Sequence, residues 1–126
     1  MLNTSYADYA WEQASALLSI DSPSGYTAAA AKWVQEQFSA LGFDAKITVK
    51  GGVIVDLGGK DVNNGVLLET HLDTLGGMVA EIKGNGRLRL TALGGMNANN
   101  GEAENVRVYT RSGRVIDGTL QLCNAS

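Results

Sequence analysis

A chain of 126 residues can form one domain with its own core, or one domain and part of another. Apolar residues at 44% and charged residues at 18% describe a soluble globular protein, and a formal net charge of -3 offers no basic face for nucleic acid or anionic lipid. No apolar run reaches bilayer length, no secretion signal opens the chain, and Cys123 as the single cysteine excludes an internal disulfide or a multi-cysteine zinc site, so a cytoplasmic protein is the default expectation. Two sequons, at Asn3 and Asn124, are then chance matches.

Residues 5 to 20 read as a helix, with Ser5 and Asp8 placed as a cap and Tyr6, Tyr9, Ala10, Ala14, Leu17 and Leu18 on one face. Ser22-Pro23-Ser24-Gly25 ends it, because the residue before a proline is steered out of the α region. A second helix is expected from about Thr27 to Leu41. Trp33, Val34, Phe38 and Leu41 form its buried stripe, and Gly42 falls where a left-handed residue closes a helix. The period then changes to two. Ala45–Val49 and Val53–Leu57 flank Gly51-Gly52 as a hairpin, and residues 58 to 65 form a polar loop.

Val66 to Glu69 follows as a short apolar run of strand length with apolar residues on both faces, which predicts an interior strand. It leads into Thr70-His71-Leu72-Asp73. A buried strand ending in a histidine, with a carboxylate two residues on, is a way to present a metal ligand at a sheet edge. His71 is the only histidine, so any imidazole chemistry in the chain belongs to it. Judged alone, it is more simply a hydrogen-bonded structural histidine, and Asp73 could equally cap the next turn.

Beyond Gly76-Gly77 only strands are expected: Met78 to Ile82, Arg87 to Thr91, Val106 to Thr110 and Arg114 to Leu122. Residues 94 to 105 read as a polar loop, within which 97–102 lacks the regular acidic positions of a calcium loop and reads as a mobile loop. Helices and strands first, then strands alone, argue for two modules, 1–76 and 77–126. Neither Ser22 nor Ser24 reads as a nucleophile, since no general base stands near them in sequence. The arginines at 87, 89, 107, 111 and 114 alternate with acidic residues as a solvated strand face would, and Cys123 reads as an inert thiol.

This ordered set resembles the M42 family of metallo-aminopeptidases, the glutamyl aminopeptidases and their relatives, some of which carry the name endoglucanase. The resemblance rests on Ser22-Pro23-Ser24-Gly25, the helix closed by Leu41-Gly42, the hairpin, Thr70-His71-Leu72-Asp73, Gly77-Met78-Val79 and Leu93-Gly94-Gly95. It implies an α/β zinc-peptidase domain of the phosphorylase/hydrolase-like type, followed by part of an inserted β-rich dimerisation domain. It also implies removal of N-terminal residues from peptides at a pair of divalent metals, zinc or cobalt. Transferred by position, His71 is a metal ligand, and Asp73 is the carboxylate that accepts its other ring N–H.

In such enzymes the remaining ligands and the Glu-Glu pair lie beyond the inserted domain. The carboxylates after Asp73 here are Glu81, Glu102, Glu104 and Asp117, without a Glu-Glu pair. The expectation is the N-terminal part of a peptidase, inactive by itself, that associates as a homo-oligomer or with a complementing C-terminal chain. The reading from another class is a non-catalytic assembly or dimerisation module.

Overall fold

The computed structural model describes residues 4–122, so Cys123 and both sequon asparagines lie outside it. The element order is α1 (Thr4–Leu18), α2 (Ala28–Ala40), β1 (Ala45–Ile47), β2 (Val53–Val55), β3 (Gly76–Ile82), β4 (Leu88–Leu93), a short 3-10 helix (Ala98–Gly101), β5 (Asn105–Tyr109) and β6 (Val115–Thr119). The chain divides between Thr74 and Leu75 into two compact units, so Gly76 and Gly77 belong to the second and open its first strand.

The first unit is α/β. α1 starts at Thr4, which puts Ser5 inside the helix rather than at its cap. The apolar face of α1 stands largely open: Tyr6 and Leu18 are 71% and 73% exposed, and Leu17 is half-buried. A helical period identifies a face that can be covered; it does not supply the cover. On α2 the deepest residues are Ala30 and Ala31, both buried, while Trp33, Val34 and Phe38 are half-buried and Leu41 is exposed. α2 packs on the β1–β2 hairpin, and Gln35 Nε2 donates to the Ala45 carbonyl at 2.9 Å, tying helix to strand.

The end of α2 follows its residue types closely. Gly42 takes φ 91°, a left-handed conformation that costs a residue with a Cβ. The Gly42 N–H donates to the Ser39 carbonyl at 2.9 Å and the Phe43 N–H to the Phe38 carbonyl at 3.1 Å. This is the paired closure of a Schellman end. Its apolar clasp is Phe38 against Phe43, edge to face with ring centres 6.3 Å apart. A Cβ on Gly42 would meet open space, so the penalty for Gly42→Ala is conformational. It should lower unfolding stability by about 1–2 kcal/mol, read from urea midpoints at unchanged slope.

The hairpin is antiparallel, with Ala45 opposite Val55 and Ile47 opposite Val53. Its turn is closed by Thr48 N–H to the Gly52 carbonyl at 2.7 Å. Past β2 the expectation fails. Residues 56–73 contain no helix or strand, and Val66, Leu67 and Leu68 are 87%, 83% and 82% exposed. Val66 to Glu69 is therefore not an interior strand here, and His71 does not stand at a strand tip. The physical reason is pairing. An apolar run becomes a strand only when a neighbouring strand takes its N–H and C=O groups, and the described sheet of this unit holds β1 and β2 alone. The segment is pinned at its end. Thr74 bridges Pro23 in parallel, and its N–H donates to the Ser22 carbonyl at 2.7 Å.

The second unit is built from two antiparallel hairpins. β3 pairs with β4 from Gly76–Leu93 to Ile82–Leu88, with a bulge between Val79 and Glu81. β5 pairs with β6 from Asn105–Thr119 to Tyr109–Val115. The Arg89–Glu81 ion pair, 2.8 Å long and exposed, fits the solvated face expected of these strands. The segment expected to be a polar loop contains a short 3-10 helix. Asn97 caps the 3-10 helix by accepting from the Asn99 N–H at 3.0 Å. Beyond it, Glu102 Oε2 accepts from the Leu122 N–H at 2.5 Å, and the Ala103 N–H reaches the Leu120 carbonyl at 2.9 Å. The chain after β6 thus satisfies polar groups that a free loop would leave to water.

Candidate functional site

Three side chains of the first unit converge: Ser24 from the turn after α1, and His71 and Asp73 from the irregular segment before Thr74. What brings them together is the backbone pinning just described. Ser22 is buried at 2% exposure, and its carbonyl holds Thr74. Proline at 23 has no N–H to extend a ladder. The next link is made by a side chain: Ser24 Oγ donates to Asp73 Oδ2 at 2.5 Å.

The other side of Asp73 faces the imidazole. His71 Nδ1 lies 2.9 Å from the Asp73 carbonyl oxygen and 3.2 Å from Asp73 Oδ1. Both neighbours are acceptors only, so Nδ1 is the nitrogen that carries the proton in the neutral ring. Nε2 is then the lone-pair nitrogen, and the His71 side chain is 83% exposed. The arrangement presents a basic ring nitrogen outward from a hydrogen-bonded anchor.

The Asp73 carboxyl is held below its ordinary value of 3.8, chiefly by the hydrogen bond from Ser24, with the facing His71 charge acting the same way and burial opposing both. The carboxylate binds protons less readily folded than unfolded. Its stabilising contribution is therefore complete above the unfolded value and fades as pH falls through the lowered folded one. Stability measured from pH 6 down to pH 2 should show this loss, and Ser24→Ala should make the profile shallower below about pH 4.

The site offers one imidazole nitrogen and one adjacent carboxylate to a cation. Among the described residues no three His, Cys, Asp or Glu side chains converge. A zinc centre takes about three or four protein ligands. The described residues alone do not fit a zinc or two-metal centre, and Glu81, Glu102, Glu104 and Asp117 all lie in the other unit.

Two of the three residues were expected from sequence to belong together. Ser24 was not: 49 residues separate it from Asp73, and no local pattern relates them. Only the parallel bridge between Pro23 and Thr74 reveals the link.

The family described as M42 glutamyl aminopeptidase matches residues 51–125 of this chain, a span that contains His71 and Asp73 but not Ser24. Aminopeptidase YhfE of Bacillus subtilis (strain 168) is 36% identical over 110 residues, covering 87% of this chain and 32% of that protein. Glutamyl aminopeptidase of Lactococcus lactis subsp. cremoris (strain MG1363) is 27% identical over 107 residues, covering 84% of this chain and 30% of that protein. The chain spans about a third of the length of the curated relatives it matches.

Proposed function

This chain belongs to the M42 glutamyl aminopeptidase family, and from that premise we propose that it is the N-terminal part of a dinuclear metal-dependent aminopeptidase acting on peptides. The observation that carries the reading is the anchored imidazole: within the family-matched span, Nδ1 of His71 faces Asp73 and Nε2 is turned out. In the complete enzyme His71 is one ligand of a divalent metal, zinc or cobalt, and Asp73 orients it. The other ligands come from polypeptide that complements this chain. Residues 1–76 contribute to the peptidase domain, and 77–126 to the β-rich inserted domain.

The chain alone is inactive on this reading, because one ligand does not build the centre. With added zinc or cobalt, hydrolysis of aminoacyl-p-nitroanilides by the isolated chain should equal that of its His71→Ala variant. Turnover above that control would refute the assignment of the missing ligands. On this reading the working compartment is the cytoplasm, and a net charge of -3 gives no basic face for nucleic acid or anionic lipid. Homology to named aminopeptidases favours this reading over a non-catalytic assembly module.

The partner is the complementing polypeptide. Val66, Leu67 and Leu68 stand exposed in a row, and the relatives are about three times as long as this chain. Exposed contiguous apolar surface of this kind marks a surface that another segment covers.

A further inference from the structure

We infer that Ser24 is a positioning residue: its hydroxyl holds Asp73 so that the carboxylate faces His71 and, together with the Asp73 carbonyl, fixes which ring nitrogen is presented outward. The inference rests on the reading of Asp73 as the group that orients His71, and it extends that reading to a residue outside the family-matched span.

The geometry makes the case. An aspartate side chain on an irregular segment can turn freely about its bonds unless something holds it. Here Ser24 Oγ takes Oδ2 at 2.5 Å, which leaves Oδ1 on the histidine side, 3.2 Å from Nδ1, as a second acceptor beside the Asp73 carbonyl oxygen at 2.9 Å. The serine is itself placed by rigid neighbours. Ser22 is buried, Pro23 has a fixed backbone angle, and Thr74 is bonded back to Ser22 at 2.7 Å. The two segments therefore meet in a fixed register, and the hydroxyl is delivered to the carboxylate beside the imidazole. A hydrogen bond to a charged acceptor is stronger than one between neutral groups, so it can select a side-chain orientation at an exposed site.

The test uses the intact chain, whose only imidazole is His71, so its ring signals need no assignment by elimination. Histidine labelled with nitrogen-15 reports the ratio of Nδ1-protonated to Nε2-protonated ring at a pH where the ring is neutral. Ser24→Thr keeps the hydroxyl and Ser24→Val removes it at nearly the same shape. The Thr variant should match the parent. The Val variant should lower the Nδ1-protonated to Nε2-protonated ratio by about fivefold, the equivalent of one ordinary net hydrogen bond. Asp73→Ala should lower it at least as far. Ratios equal to the parent's in both the Thr and Val variants, with a changed ratio in Asp73→Ala, would overturn the role of Ser24 alone. No change in Asp73→Ala would overturn the reading of Asp73 beneath it. A shared loss in both Thr and Val variants would show that Ser24 acts by shape rather than by its hydroxyl.

Discussion

Replacing Val66, Leu67 and Leu68 together by serine should weaken assembly with the complementing polypeptide by about a thousandfold or more. The estimate follows from exposure. These side chains are 87%, 83% and 82% exposed, so almost all their apolar surface is still available for burial. Burying one such side chain contributes about 1.5–3 kcal/mol, and each 1.4 kcal/mol is about tenfold in affinity. The isolated chain should barely register the change, because substitutions at exposed positions away from structured contacts cost about 0.5 kcal/mol or less. The part of the Bacillus subtilis relative that this chain does not match serves as the partner, and sedimentation velocity reads the complex. Unchanged affinity would show that the apolar run is not the contact. Self-association in the absence of partner, abolished by the same substitutions, would move the contact to a second copy of the chain.

In the assembled form, aminopeptidase turnover should appear and should depend on His71. His71→Ala removes the only imidazole in this chain and should reduce turnover to the level of the unassembled pieces. Asp73→Ala leaves the ring in place but removes one of the two oxygens facing Nδ1, at 3.2 Å, while the Asp73 carbonyl at 2.9 Å remains. Loss of a group that orients a ligating histidine typically costs about 10–100-fold in metal affinity or activity. The two variants therefore separate the roles, one complete and one partial. Equal and complete loss from both would argue that Asp73 does more than orient the ring. Full activity in His71→Ala would remove the imidazole from the chemistry. Sedimentation of each variant complex shows whether lost turnover reflects lost assembly.

The helices and hairpins were legible from the residues because their determinants are local. α2 ends through the Gly42 N–H bonded three residues back to Ser39 and the Phe43 N–H bonded five back to Phe38, and the Phe38 and Phe43 rings complete the same turn. Such a motif is written within a few consecutive residues, and nothing distant has to agree with it. The hairpins of the second unit are similar, since each pairs two strands joined by a tight polar turn. The bonds that close the polar loop were not legible for the complementary reason. Glu102 and Ala103 pair with Leu122 and Leu120, which lie beyond the next hairpin.

The candidate site divides along the same line. The nearness of His71 and Asp73 was written in their spacing of two residues. The family to which the chain belongs was likewise carried by the order of its motifs. Tertiary structure alone decided two matters. It left Val66, Leu67 and Leu68 uncovered, because an apolar run states a need for neighbours without naming them. It also brought Ser24 to Asp73 across 49 residues, because hydrogen bonding between distant segments follows from their register and not from the pattern within either.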